Sequence, residues 1–385
     1  MIARIRPETQ YTDLLQSLFT GKDYHTILEA DLKAYFGVEE VLLSQGGRVG
    51  LYYLLKALPH KKVYLPAYTC WAVPAAIQHA GKEPVYVDIN LADYNMDVAE
   101  LSKILAPDSI ILATHQFGIP CDIEAINRLA VEKKCLVLED NAAGFGSTCE
   151  GKKTGTFSSA SIISFEFSKT LTCGIGGAVL FNDRDLYARV KNHYQDETKK
   201  TGYLQTLRVL SSLSGYLLGT NKIFYHLTHM LFNRTKGMTT GYPPEIDAEV
   251  MTHYHASLDK ARARLAHCGM KQIDSVIKRK VAIATYYLRE LAGCQKIVLP
   301  SYPEEKVPVF MRFPIRVKNL RKEEFYARCV KQGLDLAFTF SYSCAPDIEK
   351  FPQAVSAAAT VLNLPVYSKL TDNDLQKIKD VIVSI

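Results

Sequence analysis

Residues 135–181 read CLVLEDNAAGFGSTCEGKKTGTFSSASIISFEFSKTLTCGIGGAVLF. Three short apolar runs stand out in this stretch: CLVLED, SIISFEF and AVLF. Each has the length and composition of a buried strand rather than a helix. The first run ends on Asp140. The second contains Ser164 and leads through Ser168 into Lys169, and the glycine-rich turn GIGG follows. A carboxylate and an amine therefore stand at the mouths of two predicted strands, 29 residues apart in the chain (169 − 140).

The same rhythm extends back to Val41 and on to Asp183. VLLS precedes the helical VGLYYLLKAL, KVYLPAY precedes WAVPAAIQHAG, and PVYVDI precedes VAELSKIL. SIILATHQ precedes IEAINRLAVEKK. Strands that alternate with helices predict an α/β fold whose mainly parallel sheet is covered on both faces. In such sheets ligands sit at the carboxyl ends of the strands. Before this region, residues 1–40 form a lead-in with one helical stretch, ILEADLKAYFG. After it, residues 203–235 are apolar and aromatic with basic residues mixed in, and predict one or two amphipathic helices. From about residue 250 a long helical stretch rich in Arg and Lys leads into an α+β pattern, with VFMRFPIRV as a strand and EEFYARCVKQG and LTDNDLQKIKDVIVSI as helices. The expected division is a large α/β domain over residues 1–250 and a smaller C-terminal α+β domain over residues 251–385.

Composition narrows the class. The 385 residues are 48% hydrophobic and 22% charged, which suits a folded chain with a large core. The net charge of +6 is mild. No dense Lys/Arg block with interleaved aromatics is present, so nucleic-acid binding is not expected. Nine scattered cysteines without a C-x-x-C pair read as reduced thiols, not a disulfide framework or a zinc site. The N-terminal MIARIRPETQ lacks an apolar signal region, and no apolar run reaches spanning length. A soluble, cytoplasmic protein without a metal is the expectation.

Four elements carry candidate chemistry. LLSQGGRVGLYYLLKAL turns from a strand through Gln45-Gly46-Gly47 into a helix near Arg48, where backbone N–H groups and the helix dipole can seat a phosphate. A plain strand–helix turn has the same appearance. Asp140 could pair with a protonated ring nitrogen or simply cap a helix. Lys169 could form a Schiff base with an aldehyde, with Ser164 reaching the cofactor's phosphate, or could be a solvated loop lysine. Tyr68 and the single tryptophan, Trp71, could stack on a cofactor ring or serve as core aromatics, and His115 could line the site or be a satisfied core histidine. The ordered set of phosphate turn, carboxylate, serine and lysine is what pyridoxal phosphate chemistry needs. The first turn lacks G-x-G-x-x-G and no acidic residue is placed to hold a ribose, which argues against a nicotinamide dehydrogenase.

These segments, taken in order from about Phe36 to the C-terminus, resemble the DegT/DnrJ/EryC1/StrS family of fold-type-I aminotransferases, which act on nucleotide-linked keto-sugars. The resemblance also covers DYNMDVAEL, THQFGIPCDIEAINRLA and LNLPVYSKLTDNDLQKI. It implies a fold-type-I architecture with a large domain built on a seven-stranded-type sheet, and pyridoxal 5'-phosphate as cofactor. Lys169 then matches the family's cofactor-bearing lysine and Asp140 the partner of the pyridine nitrogen. Gly47, Arg48 and Ser164 match phosphate contacts. Cys70 occupies the place where the family usually holds a stacking aromatic, with Trp71 beside it. The implied reaction is transamination from glutamate to a keto-sugar, in a homodimer, within polysaccharide or amino-sugar biosynthesis. The family's dehydratase branch replaces the lysine with histidine, which this chain does not.

Three features depart from the family. Ala143 stands where Gln or His is usual three residues after the aspartate. No clear N-Y-R-like segment is found around His253 to Ser257. The apolar stretch 203–235 reads as an insertion. That stretch is either a lid or dimer element buried on the protein, or a pair of membrane-surface helices. In the second reading Leu217, Leu218, Phe224, Tyr225, Leu231 and Phe232 insert, with Lys222 and Arg234 at the headgroups.

Overall fold

A computed structural model of the chain describes residues 1–234 and 255–385. Its main sheet has seven strands: β1 (Glu40–Ser44), β2 (Lys62–Pro66), β3 (Glu83–Val87), β4 (Ile110–Thr114), β5 (Leu136–Asp140), β8 (Ala160–Ser164) and β9 (Gly177–Phe181). A small sheet adds β6 (Thr148–Cys149), β7 (Lys152–Lys153) and β11 (Lys306–Val307). The order in the main sheet is β1-β9-β8-β5-β4-β2-β3. The neighbours β2–β3, β2–β4, β4–β5 and β5–β8 are parallel, whereas β9 runs antiparallel to both β8 and β1. Six strands thus point one way, and the ends of β1, β2, β4, β5 and β8 share one edge of the sheet.

The predicted strands are these strands. Their near-continuous burial follows from helices on both faces: every residue of β4 and of β9 is buried. Helices Gly47–Lys56, Ala72–His79, Val98–Ile104, Ile123–Lys133 and Arg184–Glu197 supply that cover. Several are started by the local chemistry expected of helix N-termini. Asp97 accepts the amides of Ala99 and Glu100, Asp122 that of Ala125, and Asp183 that of Leu186. In the lead-in, helix Tyr24–Phe36 buries Leu28, Leu32 and Phe36 at four-residue spacing and stops at Gly37, whose φ of 71° needs no Cβ.

The long Arg/Lys-rich stretch expected after residue 250 forms two helices, Lys260–Met270 and Ile273–Glu290. The chain turns at Lys271–Gln272, just past Gly269, a poor helix former whose missing side chain lets Leu171 approach. The first of these helices packs Ala263, Leu265 and Ala266 against Leu28 and Leu32. Beyond it, β10 (Ile297–Val298), β12 (Phe313–Val317) and β13 (Val361–Leu364) form an antiparallel sheet carrying helices Lys322–Lys331, Pro352–Thr360 and Asp372–Ser384. The N-terminus joins this C-terminal layer through a bridge from Ile2 to Leu334. The expected boundary between residues 250 and 251 lies outside the described residues.

In the stretch 203–235 the described residues form a pair of helices, Tyr203–Gly219 and Tyr225–Arg234. The first buries Val209, Leu210, Leu213 and Leu217 on one face. The side chains of Phe232 and Arg234 lie outside the described residues, as does His253. Among the described residues no helix is long and apolar enough to cross a membrane.

Candidate active site

The glycine turn after β1 and the end of β8 meet across β9. In register, Ser44 faces Gly177 on one side and Ser164 faces Gly177 on the other. A Cβ on Gly177 would lie 2.4 Å from the Gly47 nitrogen, and a Cβ on Gly47 would lie 3.2 Å from the Ser164 Cβ. These glycines therefore let the turn settle directly on Ser164. Helix Gly47–Lys56 starts here with no side-chain cap, so its first amides point outward as free donors beside the Ser164 side chain. The turn is held from behind by Arg262, a side chain with 0% exposure. Its Nη2 donates to Gln45 Oε1 at 2.6 Å, its Nη1 to the Ile175 carbonyl at 2.7 Å, and its Nε to Asp259. Sequence reasoning missed Arg262.

Asp140 and its neighbour Glu139 point to opposite faces of β5, as strand geometry requires. Glu139 is wholly buried and satisfied. Its Oε1 takes the Gly155 amide at 2.6 Å and lies 3.0 Å from His115 Nε2. Its Oε2 takes the amides of Phe157 and Ser158 at 2.8 and 2.9 Å. His115 Nδ1 accepts the Cys121 amide at 3.2 Å, so Nε2 carries the hydrogen given to Glu139. His115 is thus the satisfied core histidine, tying the end of β4 to β5. Burial favours protonated Glu139, yet the His115 bond and the Gly155 and Ser158 donors outweigh it and hold the carboxyl below its usual range. Asp140 differs. Its carboxylate accepts one hydrogen bond among the described residues, the Ala142 amide on Oδ1 at 3.0 Å. Burial pushes Asp140 above the ordinary carboxylate range, with the Ala142 amide, Lys169 and His115 opposing.

Lys169, half-buried, sits in the turn after β8, its amide bonded to the Glu166 carbonyl at 3.0 Å. Its charge acts on Cys70 together with those of Arg48 and Asp140. Burial raises the Cys70 thiol, the Ala72 amide and the Lys169 and Arg48 cations pull it down, and Asp140 reinforces the rise. Three groups from the ends of β1, β5 and β8 therefore act on one thiol at the end of β2. The Arg48 guanidinium lies over the Trp71 ring, 4.4 Å from its centre. Tyr68 is a core aromatic. It is fully buried among Tyr94, Phe117 and Phe340 and donates to the Thr339 carbonyl at 3.0 Å.

Two features of the site were not read from the sequence. Lys280, 1% exposed, donates to Thr170 Oγ1 at 3.0 Å directly behind Lys169. Burial lowers it to about 8, Glu8 opposes that, and the Lys169 charge adds to it. The second feature is the wall supplied by the C-terminal layer. The Cys344 amide bonds to the Ala67 carbonyl at 2.8 Å, and the Trp71 amide donates to Tyr342 Oη at 3.4 Å. Arg312 gives Nη1 to Thr339 Oγ1 at 2.7 Å, while its Nε is buried with no hydrogen-bond partner. Cys70, Glu166 and Tyr216 all act on this guanidinium. On the remaining side Tyr216, from helix Tyr203–Gly219, places its ring 5.7 Å from that of Phe167.

Known proteins share this architecture. GDP-perosamine synthase of Escherichia coli O157:H7 is 39% identical over 156 residues, 40% of this chain and 43% of that one, so the chain matches less than half of that relative's length. The dTDP-3-amino-3,4,6-trideoxy-alpha-D-glucose transaminase of Streptomyces venezuelae is 28% identical over 352 residues, 88% of this chain and 80% of the relative. Among solved structures, a sugar aminotransferase of Micromonospora echinospora superposes with a TM-score of 0.77 at 21% identity, covering 100% of both chains. That similarity supports the fold. Residues 7–383, nearly the whole chain and every candidate site residue, match a single family description, and the chain belongs to the DegT/DnrJ/EryC1/StrS aminotransferase family.

Proposed function

We propose that the chain is a pyridoxal-5'-phosphate-dependent aminotransferase that passes an amino group from an amino acid, glutamate, to the keto group of a nucleotide-linked sugar. The observation that supports this most is the close seat of Gly47 and Gly177 on Ser164 beneath uncapped helix amides, with Lys169, Asp140 and Arg48 all acting electrostatically on Cys70. The residues fit the cofactor. A Cβ at Gly177 or Gly47 would fill the cradle beside Ser164, where uncapped helix amides offer donors to a phosphate. Asp140 is a buried carboxylate with a single hydrogen bond, a fit for a protonated ring nitrogen.

Gly47, Arg48 and Ser164 would hold the phosphate, Asp140 the ring nitrogen, and Cys70 would lie against the ring. When bound, the cofactor supplies an electron sink for the carbon that loses a proton. Lys169 Nζ takes that proton and returns it, first with the donor and then with the sugar. Asp140 keeps the ring nitrogen protonated. Arg312, with an unpartnered Nε, is a seat for an anionic group of either substrate. The Tyr342–Cys344 loop and Tyr216 exclude water from two sides.

The family relationship and the relatives' names support the sugar as acceptor. A homodimer and a cytoplasmic location belong to the same reading. The test is spectroscopic. Glutamate should bleach the bound cofactor's visible absorbance, and a keto-sugar nucleotide should restore it. Lys169→Ala should show no such absorbance, and an unchanged spectrum in that variant overturns the assignment.

A further inference from the structure

Exposed large apolar side chains are not spread over this molecule. Of the eighteen among the described residues, four lie within residues 11–19 and eight within residues 203–231. The two segments touch, for Tyr11 Oη donates to the Ser214 carbonyl at 3.3 Å. Ordinary surfaces scatter such residues singly, and a concentration of this kind marks a contact face.

The second helix of the pair is built inside out. Its protein-facing side is polar: Tyr225 donates to the buried Asp335, and His229 Nε2 lies 3.3 Å from Tyr326 Oη. Its outer face carries Leu227, Met230 and Leu231, and the turn before it carries Ile223, 81% exposed, and Phe224. Polar anchoring inward and apolar residues outward is the reverse of a helix meant to face water. The charge along this segment of the chain has one sign. No Asp or Glu occurs between Glu197 and Glu245, while Lys199, Lys200, Arg208 and Lys222 are all exposed. Among the described residues only Lys222 of these four has an acidic partner, Asp374, at 2.7 Å.

We propose that this face docks on an anionic lipid surface, with the 218–231 turn and outer helix face inserted at the headgroup boundary. The two helices, 17 and 10 residues long, suit an interfacial position and not a span. A second copy of the chain is a poorer occupant. A two-fold contact through this patch would bring the basic residues of the segment to both sides, with Asp374, already paired to Lys222, as the carboxylate at hand. Anionic headgroups complement both the charge and the apolar residues. The docking face shares helix Tyr203–Gly219 with Tyr216, which borders the site at Phe167.

The test is flotation of the purified full chain with vesicles of phosphatidylcholine alone and with phosphatidylglycerol at roughly one third of the lipid. The chain should float only with the anionic vesicles and should come off in high salt. Leu227→Ser with Leu231→Ser should weaken partitioning by about tenfold or more, with an unchanged melting temperature. Lys199→Gln, Lys200→Gln and Arg208→Gln should each weaken it by about fivefold. Failure to float with anionic vesicles overturns the proposal, and so does equal flotation of both sets of variants. A drop in sedimentation mass in the leucine variant also overturns it, because that assigns the face to a second copy.

Discussion

Arg262 Nη2 donates to Gln45 Oε1 at 2.6 Å, joining side chains 217 residues apart beneath the glycine turn. The guanidinium also bonds Asp259 and the Ile175 carbonyl, so both the turn after β1 and the GIGG turn hang on it. Arg262→Met strands Asp259 without its cation, and removing one partner of a buried pair costs about 3 to 5 kcal/mol. Chemical denaturation should show that loss, and equilibrium dialysis should show weaker cofactor retention. Arg262→Lys keeps the charge but not the three-way fork, and should recover part of the stability without restoring retention.

The two glycines that face Ser164 and Gly47 should not be equally tolerant. A Cβ on Gly177 meets backbone at 2.4 Å, whereas a Cβ on Gly47 comes no nearer than 3.2 Å to Ser164 Cβ and 3.3 Å to the Ile163 carbonyl. Backbone cannot step aside without moving β1 or β8. Gly177→Ala should therefore cost about 1 to 3 kcal/mol and weaken cofactor binding at least about tenfold. Gly47→Ala should bind several-fold more tightly than Gly177→Ala in the same titration. The reverse order would show that the turn is not seated as described.

Glu139→Gln tests the network behind Asp140. The new amide group faces the donors of Gly155, Phe157 and Ser158, and leaves at least one of them unpaired in a buried place. A loss of about 3 kcal/mol is expected at neutral pH. Because Glu139 is held below its unfolded value, its contribution is present above the usual glutamate range and disappears as pH falls through its folded value. The gap between parent and variant in denaturant midpoint should thus shrink in acid.

Lys280 gives a pH dependence of the opposite kind. Burial lowers it from 10.5 to about 8, so the folded chain binds fewer protons than the unfolded chain between those values. Stability from this group rises with pH across that window, and below about 8 the cost of its buried charge is fully present. Lys280→Met should be more stable than the parent at pH 7, by up to about 3 kcal/mol. That advantage should fade as pH approaches 10. A difference that stays flat with pH would mean that Lys280 is not a buried cation.

The parts of the site that lie close in sequence were legible before the structure. Asp140 ends one apolar run, Ser164 lies within the next and Lys169 follows it, and parallel topology sends such residues to one edge. The parts made by distant segments were not. Arg262 carries no local mark that distinguishes it from its neighbour Arg264, because its partners at 45 and 175 become neighbours only when β1 pairs with β9. Arg312 sits at the head of a strand and reads as a solvent-side cation until the C-terminal layer closes on Cys70. The Arg48 contact with the Trp71 ring likewise joins two separate segments and is marked in neither. The inside-out helix at 225–234 was seen as amphipathic, yet periodicity alone cannot say which side faces the protein.

Asp140→Asn should separate stability from activity. In the protein without cofactor, Asp140 is a buried carboxylate with one hydrogen bond, and burial drives it toward the protonated form. Its charge therefore costs folding free energy at neutral pH, and the cost falls as pH drops through its raised folded value. Asparagine keeps an acceptor for the Ala142 amide and removes the charge, so the cofactor-free variant should melt at the parent's temperature or above it. The loaded enzyme should behave in the opposite way. Without a carboxylate to keep the ring nitrogen protonated, the proton that Lys169 removes becomes far more costly to take. The half-reaction with glutamate should slow by about two to four orders of magnitude, while cofactor absorbance shows that the site is filled. A variant that loses melting temperature and activity together would place Asp140 in the scaffold. One that gains or keeps stability while losing turnover places it against the reacting ring.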